Sequence, residues 1–303
     1  MAVNNSLVNR PGNNKPQTFS TFMTAEGVKN RINAMVGSKD GPRFISAVIS
    51  AVSVNPGLTE CEHSTILSAA LLGESLKLSP SPQLGQYYLV PFNDKKRNCK
   101  VAQFQLGYKG YIQLAIRSGY YKKLNVLAIK EGELVRYDPL TEEIEVKLIE
   151  NDTEREAAKT IGYYAMFEYT NGFKKAMYWS REKMMAHADK YSMAFSAAKY
   201  QELLDGKIPQ SEMWKYSSFW YKDFDGMAYK TMLRQLISKW GIMSIDMQTA
   251  IDKDMGTIHE DGTVDYVDNS ADYESVPDSA PATGEVIETA PIEEDPTAGF
   301  FGN

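Results

Sequence analysis

Apolar positions in the first third of the chain recur every three to four residues, the spacing of helices that bury one face. This spacing predicts three helices, over 24–35, from Gly41 to the turn at Asn55, and from Ser64 onward. A loop with two prolines, at 79–82, ends the third helix. The folded part of the chain is therefore expected to begin with a helical block.

Apolar and polar residues then alternate, which is typical of strands with one buried face. Asn171–Gly172 lies between two such runs, and this dipeptide is a strong hairpin signal. The predicted strands are 86–92, 100–106, 123–131, 143–149, 161–169 and 173–179, and the predicted helices among and after them are 108–117, 180–190 and 219–240. The predicted fold class is α+β, with a helical N-terminal block, a mostly antiparallel sheet and a helical C-terminal part.

Both ends of the chain lack this periodicity. Residues 1–17 are rich in Asn, Pro and Lys and are predicted to be a flexible arm. From Asp252 the chain accumulates acidic residues, Pro, Ser and Thr, and this composition buries too little apolar surface to fold. We therefore expect one folded domain over 18–251 and an acidic disordered tail over 252–303.

Charge divides the chain in a similar way. Its 303 residues carry a net charge of −6, but 15 Asp and Glu against a single Lys lie after position 245. Residues 1–245 hold 32 Lys and Arg against 24 Asp and Glu, a net charge of +8. A basic body with an acidic tail is typical of proteins that bind polyanions such as nucleic acids.

Cysteine usage and hydropathy point to the cytoplasm. Cys61 and Cys99 form no C-x-x-C motif, which favours a reducing compartment. The N-terminus has no apolar stretch behind a basic segment, and the near-apolar run 44–54 is too short to span a bilayer. We therefore expect a soluble cytoplasmic protein without a membrane partner.

Residues suited to enzymatic chemistry are sparse. The sequence has no G-x-x-x-x-G-K-[ST] loop, which argues against an ATP-driven motor or recombinase. Asp138, Glu145 and Lys147 resemble the carboxylates and lysine with which nucleases hold a metal ion. They also fit the exposed face of a strand, so a metal-dependent nuclease stays open as an alternative. We expect a protein that is not an enzyme and that has no cofactor, metal site or catalytic residue.

Positive side chains lie close to aromatic ones in several places, and this mixture suits single-stranded nucleic acid. Cations hold phosphates, and flat rings stack on unpaired bases. Lys230 and Arg234 lie one helical turn apart and repel one another, so a bound anion would stabilise them. Half-buried tyrosines and a solvated charged face are the alternative interpretation. The candidate DNA-binding residues are Lys95, Lys96, Arg97, Tyr108, Lys109, Tyr111, Arg117, Lys122, Lys123, Lys230 and Arg234.

Three segments carry a resemblance to a known family. They are 82–92 (PQLGQYYLVPF), 105–119 (QLGYKGYIQLAIRSG) and 223–234 (DFDGMAYKTMLR). In this order they are similar to the RecT family of phage single-strand annealing proteins, and the likeness runs from about residue 19 to residue 251. Tyr229 departs from the small or basic residue expected at its position.

The resemblance implies an ATP-independent recombination protein that coats single-stranded DNA and pairs complementary strands. We expect it to retain the annealed duplex intermediate longer than either single strand. It implies a homo-oligomer, as a ring or helical filament, and a β-β-β-α core in which the sheet packs on a long helix. The implied partners are a phage 5′-to-3′ exonuclease and the single-strand DNA-binding protein of the bacterial host. The family's basic and aromatic positions carry over to Lys109, Tyr111, Arg117, Lys230 and Arg234.

The acidic tail ends in a short apolar tip. Phe300 and Phe301 follow Glu293–Asp295, which resembles the acidic, Phe-terminated tails of bacterial single-strand DNA-binding proteins. We therefore expect these two rings to dock on a partner protein, and a merely solubilising tail is the alternative. A scaffold whose basic surface meets a protein partner remains, with the nuclease, an alternative to annealing.

Overall fold

A computed structural model of the chain describes residues 17–94, 97–192 and 194–266. The helices are α1 (Phe19–Thr24), α2 (Glu26–Val36), α3 (Gly41–Ser53), α4 (His63–Ser75), α5 (Tyr108–Ser118), α6 (Asp152–Ala157), α7 (Arg181–Tyr191), α8 (Ala197–Leu204), α9 (Phe219–Lys222), α10 (Phe224–Trp240) and α11 (Ile245–Asp252). The strands are β1 (Tyr87–Asp94), β2 (Cys99–Leu106), β3 (Tyr121–Lys130), β4 (Leu134–Asp138), β5 (Glu143–Val146), β6 (Thr160–Tyr169), β7 (Lys174–Ser180), β8 (Gly256–Ile258) and β9 (Val264–Asp265). The mixture of helices and antiparallel strands confirms the predicted α+β class.

The predicted mostly antiparallel sheet is divided into separate sheets. One of them has the strand order β1-β2-β8-β9, and its β1–β2 hairpin runs in register from Tyr87 opposite Leu106 to Asp94 opposite Cys99. Helix α4 packs against β2 and buries a continuous apolar surface, as expected for a helix between other helices and a sheet. The helical block and this sheet therefore share one core.

A second sheet has the order β3-β6-β7, and α10 packs on one of its faces. Successive side chains of β6 point to opposite faces of the sheet, so every second residue faces α10. Its buried residues on that face are Tyr163, Ala165, Phe167 and Tyr169, which pack with Ala228, Met232 and Leu236 of α10. Strands β4 and β5 form a separate two-stranded hairpin.

Helix α10 lies between the two cores. Leu233 and Ile237 belong to the core of the first sheet, whereas Met232 and Leu236 belong to that of the second. The helix therefore buries most of its circumference and fixes the two sheets relative to each other. In the described part of the chain, neither α10 nor any other helix is long and apolar enough to cross a membrane.

The predicted start of the tail, at Asp252, is wrong for the residues that the structure describes. Helix α11 continues to Asp252, and β8 then pairs with β2, with Gly256 opposite Phe104. Ile258 is buried in the first core, and Glu260 forms an ion pair with Arg31 at 3.2 Å. These acidic residues have partners in the fold, so acidic composition was a misleading signal up to Tyr266. Residues 1–16 of the predicted arm and 267–303 of the predicted tail lie outside the described residues.

Candidate nucleic-acid interface

Helix α5 begins where the backbone passes very close to the loop before β1. A Cβ atom added to Gly107 would lie 2.1 Å from the Gly85 carbonyl oxygen, and one added to Gly110 would lie 2.2 Å from that of Gln86. The Gly107 amide donates a hydrogen bond to the same Gln86 oxygen at 2.9 Å. The two glycines therefore place Tyr108 and Lys109 by permitting close backbone packing within the chain.

We expect Gly110→Ala to lower the free energy of unfolding by about 1–3 kcal/mol, because the new methyl group would collide with fixed backbone atoms. The matched control is Gly27→Ala in α2, where an added Cβ would meet no atom within 4 Å. That change should be neutral or stabilising by up to about 1 kcal/mol. Urea unfolding followed by circular dichroism measures both, and equal effects would contradict the close-packing argument.

Tyr108 lies in a small aromatic slot, and Lys109 lies beside it. Tyr88 and Phe219 line the slot and pack directly against each other, with ring centroids 5.1 Å apart. The Tyr108 ring packs against Tyr229 at 5.6 Å, and the Lys109 Nζ lies 5.9 Å from the Tyr108 centroid. The slot has a volume of about 30 Å³, which admits a water molecule but no nucleobase. Lys109 is exposed, whereas the neighbouring rings are occupied with one another.

Arg117 is turned toward the helical block. Its guanidinium donates hydrogen bonds to the carbonyl oxygens of Leu76 and Lys77, just after the end of α4. A cation at a helix C-terminus satisfies carbonyls that have no partner within the helix and favours the helix dipole. The structure therefore gives Arg117 a capping contact that competes with the predicted phosphate contact.

Tyr111, Lys230 and Arg234 meet at a buried carboxylate, that of Asp254. Its oxygens lie 3.0 Å from the Lys230 Nζ, 3.0 Å from an Arg234 nitrogen and 3.5 Å from the Tyr111 hydroxyl. The Leu106 amide donates to the same carboxylate at 2.8 Å, and Asp254 is 1% exposed. Burial raises the pKa of Tyr111, which is fully buried. We call these five residues the Asp254 cluster.

The Asp254 cluster corrects the expectation of an open cationic face on the last long helix. The anion that two neighbouring cations require is present, but it is a carboxylate of the same chain. Lys230 is 7% exposed and the Arg234 side chain is 20% exposed, and both charges are paired with Asp254 rather than forming the open face that was predicted. Tyr111 has no exposed ring face on which a base could stack.

Lys122 and Lys123 join a third lysine around one carboxylate. The Glu168 oxygens lie 2.8 Å from the Nζ of Lys122, 3.7 Å from that of Lys123 and 3.6 Å from that of Lys174. The three lysine side chains are 58–64% exposed, whereas that of Glu168 is 6% exposed. The hydrogen bond from Lys122, aided by the nearby charges, lowers the pKa of the Glu168 carboxyl. Three cations over one buried anion leave an exposed net charge of +2.

Exposed aromatic rings lie at the same end of the β3-β6-β7 sheet, and Phe173 and Trp240 are on its α10 face, opposite the face that carries Glu168. Phe173 is 46% exposed and stacks on Tyr169 at 5.9 Å, and the Tyr169 hydroxyl donates to the Trp240 carbonyl at 3.2 Å. Tyr120 is 47% exposed, and its carbonyl accepts from the Thr170 amide at 3.1 Å. Trp240 is 51% exposed. We define the sheet-end patch as Tyr120, Lys122, Lys123, Phe173, Lys174 and Trp240.

Four of the six residues of the sheet-end patch, Tyr120, Phe173, Lys174 and Trp240, are not among the DNA-binding residues predicted from the sequence. The Asn171–Gly172 turn sets the register of β6 and β7, which places Lys174 directly opposite Glu168. That register follows from the hairpin signal, so Phe173 and Lys174 could have been assigned beside Lys122 and Lys123. Trp240 reaches the patch through tertiary packing of α10, which no local pattern shows.

The remaining predicted contacts are dispersed. Arg97 lies in the turn between β1 and β2 of the first sheet, 2.7 Å from a Glu62 oxygen in a partly exposed ion pair. Lys95 and Lys96 lie outside the described residues, as do Phe300 and Phe301.

Asp138 and Glu145, the carboxylates that could hold a metal ion in a nuclease, lie on the β4–β5 hairpin. Asp138 accepts hydrogen bonds from the amides of Leu140 and Thr141 at 2.9 and 3.4 Å, which caps the turn. Glu145 lies opposite Arg136 in the strand register. Among residues 17–94, 97–192 and 194–266, no three His, Cys, Asp or Glu side chains come together as metal ligands.

Comparison with known proteins gives a consistent result. A family model described as the RecT family matches residues 42–274. An uncharacterized Bacillus subtilis protein, YqaK, is 34% identical over 310 aligned positions, covering 99% of this chain and 95% of the relative. Protein RecT of Escherichia coli is 27% identical over 230 positions, covering 75% of each chain.

Proposed function

This chain belongs to the RecT family, and from that premise we propose that it coats single-stranded DNA and pairs complementary strands without ATP. Family membership supports a role in DNA binding, single-strand annealing and recombination. The observation that carries the finer proposal is the sheet-end patch, where three exposed lysines lie around Glu168 on one face and the exposed rings of Phe173 and Trp240 lie at the same end on the other face.

The chemistry of the sheet-end patch suits a strand held by its backbone. Lysines contact phosphates at any sequence, and rings stack on any base, so neither group reads the sequence. Base edges that are left free can then be read by a second strand. The three-stranded sheet packed on α10 is the arrangement that we expect of an annealing core.

Oligomerisation would make the pairing effective. Copies of the chain side by side on one strand would present bases in register, so that pairing of a few bases makes the next pairing intramolecular. We propose a ring or helical filament in the cytoplasm of a bacterial host. We further propose a phage 5′-to-3′ exonuclease and the host single-strand DNA-binding protein as partners, with Phe300 and Phe301 as candidate contacts.

We expect the purified protein to accelerate duplex formation between two complementary labelled oligonucleotides with no nucleotide added. The affinity for a mixed-sequence strand should fall with salt, with a logarithmic slope of about −0.7 for each phosphate neutralised. Gel analysis of the same reaction with magnesium separates the alternatives. Shortened strands would indicate a nuclease, full-length strands without acceleration a scaffold, and a strict need for ATP would contradict the proposal.

A further inference from the structure

The turn of the β4–β5 hairpin contacts a lysine of β7, an edge strand of the β3-β6-β7 sheet. Glu142, at the end of this turn, has a φ of 58°, in the left-handed region that residues with a side chain seldom adopt. Its carboxylate forms an ion pair with the Lys175 ammonium, and the Lys175 side chain is only 16% exposed. This tertiary contact therefore holds both the turn and the lysine in place.

Lys175 also covers one face of an indole ring. It lies opposite Phe167 in the strand register, which places it on the α10 face of the sheet. Its Nζ lies 3.8 Å from the centroid of the Trp240 ring, within the range of a cation–π interaction. Trp240 is nevertheless 51% exposed. The ring is therefore held on one side by the ammonium while about half of the residue remains in solvent.

A ring held in this way is suited to stacking on a nucleobase. Ordering a free side chain on binding costs entropy, and this cost is smaller when the ring already has a fixed orientation. The hydrogen bond from the Tyr169 hydroxyl to the Trp240 carbonyl, at 3.2 Å, fixes the backbone of the same residue. Because Glu142 neutralises Lys175, the lysine orders the ring without adding a net charge at this place.

We propose that Glu142 and Lys175 are positioning residues for DNA binding. The Glu142 carboxylate holds the Lys175 ammonium, and the ammonium holds the Trp240 ring in the orientation in which it stacks on a base. The inference rests on the proposed function, because it takes Trp240 as one of the rings that contact the strand. It assigns to the acidic β4–β5 hairpin a role in binding a polyanion that its charge alone would repel.

One variant removes the cation and keeps the packing. Lys175→Met retains a side chain of similar length, and we expect it to weaken binding of a mixed-sequence oligonucleotide about fivefold, against about tenfold for Trp240→Ala. Lys175→Arg should stay within about twofold of the unaltered chain, because a guanidinium also pairs with carboxylates and stacks on rings. The matched control is Lys183→Met, which removes the same charge from a lysine 4.6 Å from the Trp179 ring. It should change the affinity less than about twofold.

The salt dependence of binding separates a positioning role from a phosphate contact. The logarithmic salt slope of Lys175→Met should equal that of the unaltered chain, because no phosphate contact is lost. A slope shallower by about 0.7 would show that Lys175 itself binds a phosphate and would overturn the proposal. Equal losses of affinity in Lys175→Met and Lys183→Met would also overturn it, since overall charge would then explain both.

The acidic partner gives a test in which the sign of the effect decides. Glu142→Gln removes a negative charge, which by itself should strengthen DNA binding. We expect the affinity to fall about twofold instead, because Lys175 is then no longer held over the ring. Glu143→Gln removes the same charge from the next, exposed position and should leave binding unchanged or slightly stronger. Stronger binding in both variants would contradict the proposal.

The ring contact is also measured without DNA. The difference in fluorescence emission between each protein and the same protein with Trp240→Phe isolates Trp240 among the 4 tryptophans of the chain. Lys175→Met and Glu142→Gln should shift this emission, and Lys183→Met should not. An unshifted emission in Lys175→Met would overturn the contact. A shifted emission in a chain that binds no single strand would instead overturn the proposed function, and with it the role of this contact in DNA binding.

Discussion

Replacing Lys122, Lys123 and Lys174 with glutamine should weaken binding of a mixed-sequence single strand by about 50-fold at about 0.15 M salt. For single strands the logarithmic salt slope is about −0.7 per phosphate, so one contact is worth about fourfold at this salt concentration. The slope itself should become shallower by about 2. Glutamine is chosen because its amide can still donate to Glu168, which is 5% exposed and would otherwise lose its partners. Fluorescence anisotropy over a salt series measures both quantities.

The matched control removes three exposed lysines from elsewhere on the fold, Lys29, Lys39 and Lys199. It changes the net charge equally and should shift the affinity only slightly, because long-range effects on exposed charges are screened at this salt. If both triple variants lose affinity equally, binding depends on overall charge and the sheet-end patch is not the contact surface. Unchanged affinity in the first variant would locate the DNA elsewhere.

Asp254→Asn should lower the free energy of unfolding by about 3–5 kcal/mol, because it leaves Lys230 and Arg234 without the carboxylate that neutralises them inside the fold. For a domain of this size the expected fall in Tm is about 10 °C. Differential scanning calorimetry measures it. Asp205→Asn removes one partner of an exposed ion pair with Lys207 and should leave Tm close to that of the unaltered protein.

A double variant separates the ion pair from simple packing. Lys230→Met removes the cation with a side chain of similar length, and combining it with Asp254→Asn should cost less than the sum of the two single changes. Charges in direct contact typically show coupling energies of about 0.5–3 kcal/mol. Strict additivity would contradict a direct interaction. A second readout is the DNA salt slope of Lys230→Met in folded protein. This salt slope should stay near that of the unaltered protein if Lys230 only neutralises Asp254. It should become shallower if Lys230 binds phosphate.

Local signals predicted much of the fold correctly. The hairpin around Asn171–Gly172 appears as β6 and β7, and the strands around the turn at 93–99 appear as β1 and β2. The helix predicted over 219–240 is interrupted at Asp223, whose side chain accepts from the Gly226 amide and caps α10. Such elements are specified by residues a few positions apart, so periodicity and turn residues suffice to find them.

The candidate site was harder, because burial depends on residues far apart in sequence. The spacing of Lys230 and Arg234 places them on one face of α10. Only the tertiary contact of both residues with Asp254, which follows α11, shows that this face is covered. Asp254 itself lies in a stretch whose acidic composition predicted disorder. An acid that neutralises buried cations and an acid in a solvated tail look the same in composition. Family resemblance pointed to Tyr111 and Arg117 as well, and each has a partner within the fold.

The pairing of β8 with β2 has a consequence for how the chain is made. The Leu106 amide in β2 donates a hydrogen bond to the carboxylate of Asp254, which lies 148 residues further along the chain. At the usual 5–20 residues per second of translation, about 7–30 seconds pass between the synthesis of these two positions. During that interval the β2 edge around Gln103 and Phe104 has no β8 to pair with, and an open strand edge is a template for aggregation. Nascent chains should therefore depend on ribosome-associated chaperones, and slower expression at low temperature should leave more of the protein in the soluble fraction.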